Sequence, residues 1–221
     1  MNYQIDAPGS AIRTTVKLPA SKSISNRALI LNALSYSAYD VENLSDCDDT
    51  NLMVKALNSN DRDFNVGAAG TTMRFLTAFL SKVVGEWTIT GTERMKNRPI
   101  KVLVDALNAL GARIEYMEKE GYPPLRIFGS ALQGGEISLP GNVSSQYISA
   151  ILMIAPLTEN GVTLHLEGAI ISRPYIHITL QLMEQYGVRA SWTENTIKVL
   201  PQEYKPIRFT VESDSSAASY W

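Results

Sequence analysis

Residues 18–31 read Leu18-Pro19-Ala20-Ser21-Lys22-Ser23-Ile24-Ser25-Asn26-Arg27-Ala28-Leu29-Ile30-Leu31. The apolar run after the serines predicts a helix from about Ser23 to Leu34. The first backbone N–H groups of such a helix lack intrahelical partners, so together with the helix dipole they attract an anion. Lys22 adds a positive charge, and Arg27 can reach back over the N-terminus from one turn further along. The stretch predicts an anion site, although a serine cap beside solvated basic residues is the alternative.

The composition is that of an ordinary globular chain of 221 residues, with 45% hydrophobic and 19% charged residues. A net charge of -2 gives no general attraction to nucleic acid or to an anionic membrane, so any anion site must be local. Cys47 is the only cysteine, which excludes an intramolecular disulfide and fits a reducing, cytoplasmic setting. We expect neither a signal peptide nor a membrane span, because the N-terminus is polar and no apolar run reaches about 18 residues.

Helix starts of two kinds recur along the chain. Small polar residues open the first kind, at Ser21-Lys22-Ser23, Gly70-Thr71-Thr72 and Ser144-Ser145-Gln146, with a fourth at Asp214-Ser215-Ser216. The second kind begins at Arg98-Pro99 and Arg173-Pro174 and leads through a glycine into a strand. Three copies of an α-β-α-β unit predict one domain of three-fold pseudosymmetry. The alternative is that these helix starts resemble one another only because all helix caps use similar residues.

Short alternating segments between these helices predict strands, and Asp48-Asp49-Thr50 is predicted to cap a further helix. The strands are expected at 39–44, 63–66, 87–91, 112–116, 125–128, 136–139, 162–166, 188–192, 196–200 and 207–211. Ser213 to Trp221 reads as a helix start without its helix. We therefore expect the chain to be a fragment of a longer protein.

Seven basic residues lie at or near the helix starts: Lys22, Arg27, Arg74, Arg94, Lys96, Arg98 and Arg173. Together with hydroxyl and amide donors they favour a phosphorylated, hydroxylated small molecule. Gly67-Ala68-Ala69-Gly70 lacks the lysine and the spacing of a nucleotide P-loop. His165 and His177 lack metal-ligand spacing, and no Ser-His-Asp or paired-carboxylate pattern is visible.

Five motifs occur in an order that is specific to one family: Leu18-Pro-Ala-Ser-Lys-Ser-Ile-Ser-Asn-Arg-Ala-Leu, Gly70-Thr-Thr-Met-Arg74, Arg94-Met-Lys-Asn-Arg-Pro99, Ser144-Ser-Gln-Tyr-Ile-Ser149 and Ser172-Arg-Pro-Tyr175. From Leu18 to Trp221 the chain resembles the 5-enolpyruvylshikimate-3-phosphate synthase family (3-phosphoshikimate 1-carboxyvinyltransferases). The resemblance implies the enolpyruvyl transferase fold, an inside-out α/β barrel with one domain of three βαβαββ-type pseudo-repeats. In that family two such domains close on the substrates.

The resemblance also divides the chain. Residues 1–15 would be an arm of the absent second domain, and residues 16–213 the N-terminal domain that binds shikimate-3-phosphate. Residues 214–221 would be the truncated start of a helix that leads to the missing half. The implied partners are the two substrates and the missing C-terminal domain, with no nucleic acid and no membrane, in a cytoplasmic monomer.

The implied reaction moves the enolpyruvyl group of phosphoenolpyruvate to the 5-hydroxyl of shikimate-3-phosphate and releases phosphate, without a metal or an organic cofactor. The resemblance gives Lys22 and Gln146 catalytic positions between the two substrates. It gives the substrate contacts to Lys22, Ser23, Arg27, Gly70, Arg98, Ser144, Ser145, Gln146, Ser172 and Tyr175. Among these, Ser144, Ser145 and Ser172 would hold the 3-phosphate. Gly70 and Arg98 would lie against phosphoenolpyruvate.

Two departures from the family pattern stand near this site, where Ala68 and Phe75 replace the usual Asn and Pro. The family's acidic proton-transfer residues, a second lysine and two arginines fall in the absent half. We therefore expect the chain alone to bind shikimate-3-phosphate weakly at most and not to turn over. Two alternatives stay open. One is the related UDP-N-acetylglucosamine enolpyruvyl transferase, which is expected to carry a loop cysteine, and the other is a non-catalytic anion-binding domain.

Overall fold

The computed structural model describes Gly9, Ala11 and residues 13–219. The expected arm of residues 1–15 and the final Tyr220 and Trp221 therefore lie largely outside the described residues. The helices are α1 (Lys22–Leu34), α2 (Asp48–Leu57), α3 (Gly70–Lys82), α4 (Glu93–Lys96), α5 (Lys101–Ala109), α6 (Ser145–Ile154), α7 (Arg173–Gln185) and α8 (Ser215–Ala218). The strands are β1 (Val41–Glu42), β2 (Asp63–Asn65), β3 (Gly85–Thr90), β4 (Arg113–Tyr116), β5 (Leu125–Gly129), β6 (Gly135–Pro140), β7 (Val162–Glu167), β8 (Ala190–Thr193), β9 (Thr196–Val199) and β10 (Phe209–Thr210).

Two complete repeats follow each other along the chain. In the first, β2 and β3 are parallel, and a hairpin of β4 and β5 adds antiparallel strands in the order β2-β3-β5-β4. The second sheet, β6-β7-β9-β8, repeats this order and these directions. Each unit therefore runs β-α-β-α-β-β, and the predicted pseudo-repeat is confirmed for these two.

The third unit is assembled from both ends of the described chain. β1 pairs in parallel with β10, so that Val41 lies opposite Phe209. The Ser21 N–H donates to the Glu212 carbonyl at 2.9 Å, and the Asp214 N–H donates to the Pro19 carbonyl at 2.8 Å. The third unit thus contains the first four elements of the other units, in the order β10, α1, β1 and α2. The last strand of the described chain therefore pairs with the first.

Within the described residues, the third unit lacks the antiparallel hairpin of the other two. Residues 58–62 connect α2 directly to β2, which leaves too few residues for two strands and a turn. The place of the hairpin is an open groove of about 560 Å³ beside β1, with α1, α2 and α3 contributing apolar side chains that include Leu29, Val54, Leu57 and Phe79. The three-fold pattern therefore holds for the helices and only partly for the strands.

The three inner helices α1, α3 and α6 form the core, and the sheets lie outside them. Almost every residue of α3 and α6 is buried, whereas α2, α5 and α7 bury only one face. Polar residues inside α3 bond to their own helix: the Thr77 hydroxyl donates to the Met73 carbonyl at 2.7 Å. The inside-out barrel expected from the resemblance is confirmed.

Some predicted boundaries were wrong. α5 begins at Lys101 after Ile100, so Arg98-Pro99 precedes the helix instead of starting it. Cys47 is the N-cap of α2, and Asp48 and Asp49 form its first turn. The strands predicted at 39–44 and 207–211 shorten to β1 and β10, because pairing between them covers two residues on each side.

Candidate active site

The N-terminal ends of α1, α3 and α6 open onto one cleft of about 380 Å³. Side chains from four helices line it: Lys22, Ser23, Arg27, Thr71, Ser144, Ser145, Gln146 and Tyr175. The structure thus gathers seven of the predicted site residues around a single space and adds Thr71. Because helix N-termini and basic side chains surround this space, it suits a small anionic guest.

Arg27 is the most deeply buried charge of the cleft, with 2% of its surface exposed. Its Nε donates to the Thr179 hydroxyl at 2.7 Å, Nη2 to the Ser149 hydroxyl at 2.9 Å and Nη1 to the Ser23 carbonyl at 2.9 Å. Burial lowers the pKa of the guanidinium to about 10. Since these three partners are neutral, the positive charge remains available for a bound anion.

The Phe75 ring packs against the guanidinium of Arg27. The ring is fully buried, and the Arg27 Cζ lies 5.3 Å from its centroid. This is the geometry of a cation–π contact, which stabilises a desolvated guanidinium. The residue that departs from the family pattern is therefore part of the support of the site.

Asp49 connects three helix starts and was missed by the sequence analysis as a site residue. Its Oδ2 lies 3.1 Å from Nζ of Lys22, and its Oδ1 accepts from the Thr71 N–H at 3.0 Å. The Thr72 hydroxyl donates to the Asp49 carbonyl at 2.6 Å. An acidic residue in a first helical turn is common in any capped helix, so the sequence carried no specific signal for this role.

Gln146 joins α6 to α3. Its Nε2 donates to the Thr71 hydroxyl at 3.2 Å, and its backbone N–H donates to the Ser144 hydroxyl at 3.3 Å. The Ser144 side chain therefore caps α6, as the small polar helix start predicted. The amide of Gln146 is therefore held against the start of α3, on the wall of the cleft.

Gly70 and Arg98 are in close contact beside the cleft. A Cβ built on Gly70 would lie 2.3 Å from Nη1 of Arg98, so only glycine lets the guanidinium approach the backbone this closely. Arg74 lies behind them, with Nη1 donating to the Gly70 carbonyl at 2.8 Å. Burial lowers the pKa of Arg74, and the neighbouring charge of Arg98 lowers it further.

Several predicted residues do not face the cleft. Ser172 is the N-cap of α7 but does not line the space, although Tyr175 in the first turn of that helix does. Arg94 is exposed, Lys96 pairs with Glu118 at 2.9 Å, and the Arg173 Cζ lies 5.3 Å from the ring of Trp192. Three of the seven basic residues are therefore engaged away from the cleft or face solvent.

The described part of the chain contains no group of three or more His, Cys, Asp or Glu side chains that could hold a metal ion. His165 contacts Glu136 and Thr196 on an outer sheet, and His177 stacks near Trp192. In the same residues, none of the helices combines the length and the hydropathy needed to span a membrane.

The fold and the cleft define a class of protein: an α/β domain of pseudo-repeats whose inner helices present their N-termini to one cleft. A profile of the family described as EPSP synthase (3-phosphoshikimate 1-carboxyvinyltransferase) matches residues 7–61 and 57–221. The chain belongs to this family.

Individual relatives agree with the family. The chain is 60% identical, over 222 residues, to 3-phosphoshikimate 1-carboxyvinyltransferase of Bacteroides fragilis strain YCH46, covering 100% of this chain and 54% of that protein. It is 43% identical over 243 residues to the protein of the same name from Vibrio campbellii, covering 97% of this chain and 57% of the relative. The chain spans about half the length of the curated relatives it matches.

The solved EPSP synthase from Acinetobacter baumannii has the same fold. It superposes with a TM-score of 0.82 at 21% identity, over 93% of this chain and 51% of that structure. At this identity the likeness concerns the fold alone.

Proposed function

We propose that this chain is the shikimate-3-phosphate-binding half of an enolpyruvyl transferase that uses phosphoenolpyruvate. The single observation that carries the proposal is the gathering of Lys22, Arg27, Ser145 and Tyr175 around one cleft at three helix N-termini. In this proposal residues 16–213 form the binding domain. The arm of residues 1–15 and residues 214–221 lead to the other half of a cytoplasmic monomer.

The reaction is an addition followed by an elimination. The 5-hydroxyl oxygen of shikimate-3-phosphate bonds to C2 of phosphoenolpyruvate, while C3 gains a proton and becomes a methyl group. The hydroxyl proton passes to a base, and a tetrahedral intermediate results. C2 then releases phosphate and C3 loses a proton, which restores the double bond as an enol ether.

The chain supplies binding and charge stabilisation for these steps. Ser144, Ser145 and Arg27 hold the 3-phosphate, and Ser23 and Tyr175 orient the ring. Ser172 contributes only if the start of α7 shifts toward the cleft. Lys22 and Gln146 stand between the substrates, where Lys22 stabilises the negative charge of the departing phosphate.

The Gly70 side of the site takes phosphoenolpyruvate. Arg98 offers a guanidinium to its phosphate or carboxylate beside the N-terminus of α3. The groups that move protons belong to the other half of the enzyme, so this chain alone binds substrate without turnover.

Calorimetric titration with shikimate-3-phosphate tests the proposal. We expect measurable binding by the chain, and a loss of at least about ten-fold in affinity in Lys22→Ala, since a charged hydrogen bond contributes about 1.5–3 kcal/mol. Lys198→Ala is the matched control, because Lys198 is exposed on β9 and should leave the affinity unchanged. Arg27→Ala should also abolish binding, with its thermal unfolding recorded to show that it still folds.

Other outcomes would point elsewhere. Equal affinity for inorganic phosphate and shikimate-3-phosphate would favour a non-catalytic anion-binding domain. Preferential binding of UDP-N-acetylglucosamine would favour the related transferase. Appreciable turnover by the chain alone would contradict the division of the active site between two halves.

A further inference from the structure

The Arg98 guanidinium lies against the start of α3, where the helix dipole is positive, and beside the buried cation Arg74. The Asp49 carboxylate, which accepts the Thr71 N–H at the same helix start, offsets part of this positive charge. The Arg98 side chain is half-exposed and has several rotatable bonds, so its place over Gly70 depends on how its backbone is held.

The carbonyl of Pro99, the next residue, is held by side chains from two inner helices. The Tyr147 hydroxyl of α6 donates to it at 2.6 Å, and Nη2 of Arg74 on α3 approaches it at 3.5 Å. The Arg74 Cζ also lies 5.6 Å from the Tyr147 ring, so the two side chains support each other.

The backbone on both sides of Pro99 is anchored as well. The Arg98 N–H donates to the Met95 carbonyl at 2.9 Å, and the Ile100 N–H donates to the Gly121 carbonyl at 2.8 Å. With its backbone anchored at three successive residues, the Cα–Cβ bond of Arg98 keeps one direction. From that direction the guanidinium reaches the Gly70 surface.

We propose that Tyr147 and Arg74 are positioning residues that fix the Pro99 carbonyl and so hold Arg98 over Gly70 as a preformed anion subsite. Neither residue lines the cleft. The assignment of phosphoenolpyruvate to this subsite rests on the proposed function, whereas the positioning itself does not. Pre-organisation of this kind lowers the cost of ordering a long side chain on binding.

Tyr147→Phe is the sharpest test, because it removes one hydroxyl and keeps the buried ring. Tyr186→Phe is the matched control, since the Tyr186 hydroxyl is buried without a hydrogen-bond partner among the described residues. The first readout is ¹⁵N relaxation of the Arg98 Nε–H group in the chain without ligand. We expect its order parameter to fall below about 0.6 in Tyr147→Phe and to stay at the wild-type value in Tyr186→Phe.

The second readout is calorimetric titration with phosphoenolpyruvate in the presence of saturating shikimate-3-phosphate. Tyr147→Phe should weaken phosphoenolpyruvate binding about five-fold, the size of one hydrogen bond, and change shikimate-3-phosphate affinity less than two-fold. An unchanged order parameter for Arg98 would overturn the positioning role whatever the chain binds. A mobile Arg98 with undiminished phosphoenolpyruvate affinity would instead overturn the claim that the ordered Arg98 is a preformed anion subsite.

The two proposals fail separately. If wild-type chain binds no phosphoenolpyruvate but Arg98 still becomes mobile in Tyr147→Phe, the proposed function loses its second substrate in this chain. The Tyr147–Pro99 contact would then still be established as the device that orders Arg98.

Discussion

Lys22 and Asp49 form an ion pair between the first turns of α1 and α2, with Nζ 3.1 Å from Oδ2. The other carboxylate oxygen of Asp49 accepts the Thr71 N–H of α3. One carboxylate therefore connects three helix starts around the cleft. The hydrogen bond to the Thr71 N–H contributes more to stability than the ion pair does, because Lys22 is 44% exposed and its charge is well screened.

Asp49→Ala should lower the free energy of unfolding by about 1–2 kcal/mol, since it removes the acceptor at the start of α3. Asp49→Asn keeps an oxygen acceptor there and should lose less than half as much. Urea unfolding of both variants gives the comparison, with Asp48→Ala, an exposed neighbour in the same turn, as control. Equal losses in the Ala and Asn variants would contradict the cap.

The pKa of the Cys47 thiol should depend on the charge of Lys22. Burial acts to raise the pKa of this thiol, but hydrogen bonds from Ser45 and Thr50 and the charge of Lys22 outweigh burial and lower the pKa from its ordinary value. The rate of alkylation by iodoacetamide follows the thiolate fraction, so its midpoint in pH should lie below that of an unperturbed cysteine. In Lys22→Ala the midpoint should move to higher pH.

Lys198→Ala is again the control for that measurement, because its charge is remote on β9. A midpoint that does not differ between wild type and Lys22→Ala would show that the charge of Lys22 does not reach the thiol.

Phe75→Leu should weaken shikimate-3-phosphate binding about three- to five-fold, because the cation–π support of Arg27 contributes about 0.5–1 kcal/mol or more at a desolvated site. Phe79→Leu is the matched control on the same helix, facing the open groove. Both variants should lose some stability, so calorimetric affinity is the deciding measurement. Equal affinities in the two variants would show that the Phe75 ring does not stabilise Arg27 for substrate binding.

Gly70→Ala should weaken anion binding without lowering the stability of the fold. Alanine is the better helix former by up to about 1 kcal/mol, so the melting temperature should not fall. Its methyl group would occupy the place of the Arg98 guanidinium and displace that flexible side chain. We expect phosphoenolpyruvate affinity to drop about ten-fold or more, as for a lost charged hydrogen bond, with shikimate-3-phosphate affinity within two-fold.

The groove beside β1 should accept a hairpin. Insertion of a second copy of residues 112–129 between Ser59 and Asn60 offers the third unit the antiparallel strands that cover the helices in the first. This variant should be more stable in urea than one with a Gly/Ser insertion of equal length, which adds only loop entropy. Equal stability would show that the groove does not receive these strands.

The sequence by itself determined the helix starts and their chemistry. Ser144 caps α6 and Gly70 opens α3 where the local pattern predicted, because caps and amphipathic periodicity depend on neighbours within a few residues. The family motifs added the fold and named seven of the residues that line the cleft.

Only the tertiary structure decided which side chains meet. Asp49 reaches Thr71 across 22 positions, and Tyr147 reaches Pro99 across 48. Arg173 looked equivalent to Arg98 in sequence, yet it stacks near Trp192 on an outer surface. The pairing of β10 with β1 closes the third unit between segments that lie far apart in the sequence. That no hairpin extends this two-stranded sheet, in the part of the chain that the structure describes, also became visible only in the fold. The direction of a side chain and the partner of a strand edge depend on packing between distant segments, which no local pattern records.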